Sequence, residues 1–351
     1  MKAPSSRVRL ADVAQLAGVS TTTASRALNG RGELTEDTRA AVLQAASRLG
    51  FRPSPFAQSL RTRRSHTVGL IVPNVAHPFY ASVVQGAQSC LREAGYRLIL
   101  IDSGEEPQPV AEAIDTLLDH WVDGIMISTT PFTAAGFAEL LKSTPCVFID
   151  ETVEGVGAGS VTLENREGIE ILVGHLAEHG HERIAFLGGP ADKTDGRERR
   201  EGFATAMAAR SLPVPAGFIQ ECEWSLRSGI EHTAALLDAE PRPTALVAAS
   251  AELALGALAA ARSRRFRLPE DLALASFDDT YFAALLEPAL TAISYDSVAI
   301  GSRSARLLID AIEQAEPRYQ EIRVGVRLVR RRSCGCEFDV LGELESEPAG
   351  R

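Results

Sequence analysis

Apolar positions in the first fifty residues recur at helical spacing. Leu10, Val13, Ala14 and Ala17 share one face, and Gly18 follows them. Ser20 is placed to cap a second helix, Thr21 to Leu28, which Asn29-Gly30 closes. Thr35 caps a third, with Thr38, Val42, Ala45, Ala46 and Leu49 on one face and Gly50 as its stop. Two short helices around a glycine turn, supported by a third, predict a helix-turn-helix. Next, Phe51-Arg52-Pro53-Ser54-Pro55 is held extended by its prolines. Ser54 and Pro55 then predict a short helix over Phe56 to Arg61. A helix of about two turns is marginal alone in water, so it should form only against a partner.

Beyond Thr67 the period changes. Apolar runs at 67–72, 97–101, 124–128 and 146–150 alternate with helical patterns near 79–94, 108–120 and 133–142. A second series runs through 160–163, 183–188, 244–250 and 272–277, each run followed by helical sequence. Short apolar strands between amphipathic helices predict parallel α/β sheets. Two such series predict two similar lobes, with ligands beyond the carboxyl ends of the strands. Polar residues just after the strands are therefore the ligand candidates: Asn74, His77, Asp102, Ser103, Ser128, Asp150, Ser250, Asp278 and Asp279.

Charge alters this picture. The 351 residues carry a formal net charge of -10. The first 64, however, hold 11 Lys/Arg against 4 Asp/Glu, and the rest hold 25 against 42. A head of +7 on a body of −17 points to a nucleic-acid-binding module joined to something else. Thr21, Thr22, Ser25 and Arg26 on the second helix suit base edges and phosphates in a major groove. No apolar run approaches the roughly 18–20 residues of a membrane span, and no apolar stretch follows the basic start as in a secretory signal. The five cysteines are odd in number and scattered; Cys334-Gly335-Cys336 lacks paired zinc spacing, so reduced thiols with no metal are expected. His179 and His181 around Gly180 read as helix-end chemistry. "GVGAGS" at 155–160 precedes a strand instead of joining a strand to a helix, and no phosphate loop or nucleophile elbow occurs, so neither a cofactor nor an enzyme is expected.

The runs "LADVAQLAGVSTTTASRALNG" and "LGFRPSPFAQSLRTRRSHTVGLIVP", then "FLGGP", "PTALVAAS", "FDDT" and "PALTAI", resemble the lactose/galactose-repressor family of bacterial transcription regulators over nearly the whole chain. The resemblance implies a DNA-binding domain at 1–50, a hinge helix and linker at 51–65, and an effector-binding and dimerisation core at 66–340. Within that core it implies a first lobe of about 66–164 plus 295–325 and a second of about 165–294 plus 326–338, with a polar tail at 341–351. It implies that Thr21, Thr22, Ser25, Arg26, Asn29, Leu60 and Arg61 meet a pseudopalindromic operator in double-stranded DNA, Leu60 as a minor-groove wedge. It also implies that Phe79, Tyr80, Asp150, Arg197, Trp224, Ser250 and Asp278 meet a small-molecule effector: a sugar, sugar acid or sugar phosphate.

Three departures from the family pattern matter, one of them Pro73 where the family has a serine after the first strand. Arg9 stands where the first helix usually has a Thr cap, which should weaken that cap by about 0.5–2 kcal/mol. Ser250-Ala251 replaces Asn-Asp, which makes a neutral sugar less secure. Arg197, with Lys193 and Arg199, leaves room for an acidic ligand. The reading is a homodimeric cytoplasmic repressor. The alternatives are a periplasmic-type small-molecule receptor without a DNA role, and an α/β enzyme.

Overall fold

The computed structural model describes residues 8–29, 34–51, 64–104, 107–128, 144–153, 156, 158–314 and 320–337. The predicted hinge helix, with Leu60 and Arg61, the expected helix near 133–142 and the tail at 341–351 lie outside the described residues.

The chain divides into two units, Met1–His66 and Thr67–Arg351. In the first, helices α1 (Leu10–Leu16), α2 (Thr21–Leu28) and α3 (Glu36–Leu49) surround a small core of Val13, Ala14, Ala24, Ala27, Val42, Ala45 and Ala46. The alanines dominate because three short helices must approach closely to exclude water from so little volume. Gly18 (φ 66°) makes the turn, and Gly50 (φ 63°) ends α3. Ser20 accepts from Thr23 N–H at 3.1 Å and Thr35 from Thr38 N–H at 3.3 Å. At α1 the missing Thr cap is offset from the other side. The Arg9 N–H donates to the Asp12 carboxylate at 2.8 Å, half of a capping box.

Among its described residues the second unit is a doubled α/β fold with twelve strands in two sheets. One has the order β11-β5-β4-β3-β1-β2 and the other β12-β10-β9-β8-β6-β7. The strands are β1 (Thr67–Val72), β2 (Arg97–Asp102), β3 (Gly124–Ile127), β4 (Cys146–Ile149), β5 (Gly159–Leu163), β6 (Ile184–Gly188), β7 (Ile219–Glu221), β8 (Ala245–Ala248), β9 (Ala273–Phe277), β10 (Thr291–Tyr295), β11 (Glu321–Val324) and β12 (Val326–Val329). The helices are α4 (Pro78–Glu93), α5 (Pro107–Asp119), α6 (Asn165–Glu178), α7 (Thr194–Ala209), α8 (Leu226–Asp238), α9 (Ala251–Ser263) and α10 (Ser297–Glu313).

The two orders are the same once β1 is matched to β6, β4 to β9 and β11 to β12, so each lobe repeats the other. The symmetry fails at one edge: β11 runs parallel to β5, but β12 runs antiparallel to β10. Central strands such as β4, β6 and β9 are buried throughout, which is why they read as unbroken apolar runs. The chain crosses between lobes three times, at 163–165, near Tyr295 and at Gly325. The second lobe thus contributes β10 while α10 returns to pack on the first. Gly86 of α4 and Gly301 of α10 set that packing, since a Cβ on either would overlap a backbone carbonyl of the other helix, Val298 and Val83 respectively.

Candidate functional site

The carboxyl ends of both sheets border one cavity of about 300 Å³. The first lobe supplies Asn74, His77, Phe79, Tyr80 and Asp150, and the second supplies Asp195, Arg199, Trp224, Ser250, Glu252 and Asp278, with Tyr295 at a crossing. Asp150 follows β4 and Asp278 follows β9, the matched strands of the repeat. Both have positive φ, 57° and 79°, a conformation unusual for a residue with a side chain. Backbone strain held at two equivalent strand ends is a feature of sites whose geometry is over-determined by their surroundings.

Each charge in this cavity has a distinct setting. Tyr295 donates to Asp278 Oδ1 at 2.6 Å, and the Ala251 N–H donates to Oδ2 at 3.2 Å. Arg199 is buried. It donates to Asn165 Oδ1 at 2.9 Å and to the Ala249 carbonyl at 2.7 Å, and its guanidinium lies 3.8 Å from the centre of the Phe277 ring. Burial works against that charge, but Asp278, Asp195 and Asp150 outweigh it and hold the guanidinium protonated. Asp150 Oδ1 is buried and finds no hydrogen-bond partner among the described residues. Burial, then repulsion from Asp195, pushes its carboxyl well above the usual range. Burial also pushes Asp195 up.

Several contacts cross between lobes at the rim. His77 Nε2 lies 2.9 Å from Glu252 Oε1. The Thr194 N–H donates to Glu151 at 3.2 Å, and the Thr152 N–H to Thr194 Oγ1 at 3.1 Å. Glu151 is buried, and desolvation followed by repulsion from Asp195 pushes its carboxyl up to about 7. Deeper in, Glu198 receives Arg323 from the first lobe at 2.7 Å.

Six of the seven expected effector residues line this cavity. The seventh is corrected: Arg197 is exposed on the outer face of α7, and the cavity arginine is Arg199, two residues on. Two residues on a helix are a turn of about 200°, so the neighbouring arginine faces the opposite way. Ser250 lines the cavity but also caps α9, accepting from Leu253 N–H at 3.3 Å. Of the other strand-end candidates, Asp279 is committed elsewhere, in a buried pair with Arg331 at 2.7 Å. Asp102 accepts from the Val75 N–H at 3.0 Å and the Gly104 N–H at 3.2 Å, holding two loops together.

On α2, Thr21, Thr22 and Arg26 are exposed and Ser25 half-exposed, opposite the buried Ala24 and Ala27. Asn29 is partly used in structure: its amide donates to the Ser25 carbonyl at 2.6 Å.

A three-helix unit with a polar exposed second helix, joined to a two-lobed core around a polar cavity, defines a ligand-responsive DNA-binding regulator. Comparison with known proteins makes this specific. Residues 9–54 match the model of bacterial regulatory proteins, lacI family, and residues 173–334 match a periplasmic binding protein-like domain. The HTH-type transcriptional repressor PurR of Actinobacillus pleuropneumoniae serotype 3 (strain JL03) is 32% identical over 92% of this chain and 97% of its own length. Catabolite control protein A of Priestia megaterium is 31% identical over 86% and 91%. Among solved structures, the lac repressor dimer bound to operator and an anti-inducer superposes with a TM-score of 0.84 at 26% identity, over 93% of this chain and 99% of that one. The regulator CelR in complex with cellobiose gives 0.71 at 30% identity, over 93% and 100%. The chain belongs to the LacI family. It is a DNA-binding transcriptional repressor with an effector-binding core and not an enzyme, and the receptor reading without a DNA role is not favoured. None of its described helices is long and apolar enough to cross a membrane.

Proposed function

We propose that the chain is a cytoplasmic, homodimeric repressor whose effector is a small, neutral, polyhydroxylated molecule of about one sugar ring. The observation that carries this is the balance of charge in the cavity: Asp150, Asp195 and Asp278 surround one guanidinium that is already hydrogen-bonded to protein. Carboxyl groups accept from hydroxyls, and those that are ionised repel anions. Among the described lining residues Arg199 is the one arginine, and two of its N–H groups are already taken, so a sugar acid or phosphate would meet more acidic groups than basic ones. Trp224, Tyr80 and Phe79 offer flat apolar surface for a ring's C–H face. A cavity of about 300 Å³ sits at the lower end of the roughly 300–1,000 Å³ usual for small-molecule sites. Arg199 takes the role expected of Arg197, beside Phe79, Tyr80, Asp150, Trp224, Ser250 and Asp278.

On this reading residues 1–50 bind a half-site through Thr21, Thr22, Ser25 and Arg26. Residues 51–65 form the conditional hinge, with Leu60 as wedge and Arg61 beside it. The dimer brings two heads to one pseudopalindromic operator. Exposed Tyr281 and Leu285, close in sequence on the second lobe, suit a subunit contact. A thermal-shift screen tests the effector class. Neutral monosaccharides should raise the melting temperature and Asp278→Asn should remove the rise. Stabilisation by sugar phosphates or sugar acids alone would overturn the reading.

A further inference from the structure

Away from the cavity, α6 and the final described segment bring four metal-ligating side chains together. His175 lies in the last turn of α6, and His179 is its C-terminal cap, so the pair sits at i and i+4 on one helix face. Their rings are 4.7 Å apart, edge to face. Cys334 ends a short 3-10 turn (Arg332–Cys334), and Gly335, with φ 95°, reverses the chain. That left-handed residue lets the sulfurs of Cys334 and Cys336 face the same imidazoles.

His175 Nε2 lies 3.1 Å from Cys334 Sγ and 3.7 Å from Cys336 Sγ, and His179 Nε2 lies 3.4 Å from Cys336 Sγ. All four donor atoms fall within 4.8 Å of one another. A tetrahedral zinc with Zn–S of about 2.3 Å and Zn–N of about 2.0–2.1 Å would set its ligand atoms roughly 3.3–3.8 Å apart, which brackets two of these three edges and leaves the third slightly short.

We propose that His175, His179, Cys334 and Cys336 form a tetrahedral site for zinc that fastens the C-terminal segment to α6. Two thiolates and two imidazoles are the soft, closed donor set of a structural zinc site. Binding displaces two thiol protons to solvent and leaves no oxidation state changed. Cys334 and His175 are buried, Cys336 is half-buried and His179 is exposed, so the ion has an entry side. The Thr291 hydroxyl, 2.9 Å from Cys334 Sγ, supplies a neighbour to orient that sulfur. The joined pieces are 155 or more residues apart in sequence, so the ion closes a long loop within the second lobe.

The test uses full-length protein, purified with a thiol reductant and stripped by a chelator, then titrated with cobalt(II). The expected result is one equivalent bound, with intense tetrahedral d–d bands and a thiolate-to-cobalt charge-transfer band, both displaced by zinc. His179→Ala and Cys336→Ser should each weaken binding at least tenfold. Zinc should also protect Cys334 and Cys336 of the unmutated protein from alkylation, read by mass spectrometry, which needs no variant to fold. Absence of the thiolate band at saturating cobalt, binding unchanged in the variants, or a Cys334–Cys336 disulfide that persists in reductant would each overturn the proposal.

Discussion

Replacing Glu151 by Gln should remove much of the pH dependence of core stability near neutrality. Glu151 follows Asp150 at the end of β4, yet its carboxylate accepts from Thr194 at the start of α7, so it is buried where the two lobes meet. Burial, then Asp195, lifts its folded pKa from 4.5 to about 7. A raised folded pKa means the native state holds the proton more tightly than the unfolded chain. The associated stability is fully present below 4.5 and is lost as pH rises through about 7. Integrating the linkage between pH 5 and 8 gives a loss of about 2.5 kcal/mol from this one group. For a core of this size that is roughly 5 °C in melting temperature.

Gln keeps the shape and the acceptor for the Thr194 N–H but cannot ionise. Melting curves for both proteins from pH 5 to 8 should therefore diverge, with the variant's advantage growing at high pH. Asp150 and Asp195 are raised by burial in both proteins, so the difference reports Glu151 together with its repulsion of these neighbours. Two parallel profiles would refute the argument, since they would mean that the carboxyl ionises in the folded state without cost.

Three further outcomes follow from the same geometry. Arg26→Ala should weaken operator binding and, if the guanidinium neutralises a phosphate, lower the log–log salt slope by about 0.9; unchanged affinity and slope in an anisotropy titration would remove Arg26 from the interface. Asp278→Ala should abolish the effector response while operator binding persists. It should also cost about 1–3 kcal/mol in denaturant unfolding, because Tyr295 and the Ala251 N–H lose their acceptor. Gly301→Ala should destabilise by about 1–3 kcal/mol through overpacking against the Val83 carbonyl, and an unchanged unfolding midpoint would show that α4 and α10 can separate freely.

Strand positions were legible because buried parallel strands leave continuous apolar runs: 67–72 is β1 to the residue, and the other seven agree within two residues at each end. Strands β7, β11 and β12 were not, because as short edge strands they carry exposed charged residues such as Glu221, Glu321 and Arg327; β10 was also missed, although four of its five residues are buried. Helix phase explains the arginine error. Phe203 and Ala206 mark the buried face of α7, and counting back four residues from Phe203 reaches Arg199, whereas Arg197 falls on the solvent side. The closeness of the two cysteines to His175 and His179 was illegible for another reason. Sequence spacing assigned His179 to a helix end and Cys334–Cys336 to isolated thiols. The geometry that joins them depends on β12 carrying the chain's end back to α6, and no local pattern encodes that.

The repeat also explains why a ligand in this cavity can act as a switch. Equivalent strand ends place Asp150 on one lobe and Asp278 on the other, so any molecule bridging them makes part of its contacts only when the lobes are closed. Without it, closure brings carboxylates toward one another, and Asp150 Oδ1 is buried without a donor among the described residues. A buried acceptor left in that state costs about 1–3 kcal/mol, so closure is disfavoured by about that amount. A hydroxyl-rich effector reverses the sign, since one donor to Asp150 removes that cost and a second to the opposite lobe adds a charge-assisted bond of about 1.5–3 kcal/mol. The sum, about 2.5–6 kcal/mol, is the differential affinity for the closed state. Its upper end slightly exceeds the roughly 5.5 kcal/mol that carries a two-state equilibrium from 1:99 to 99:1. A ligand that touched only one lobe, however tightly, would shift nothing.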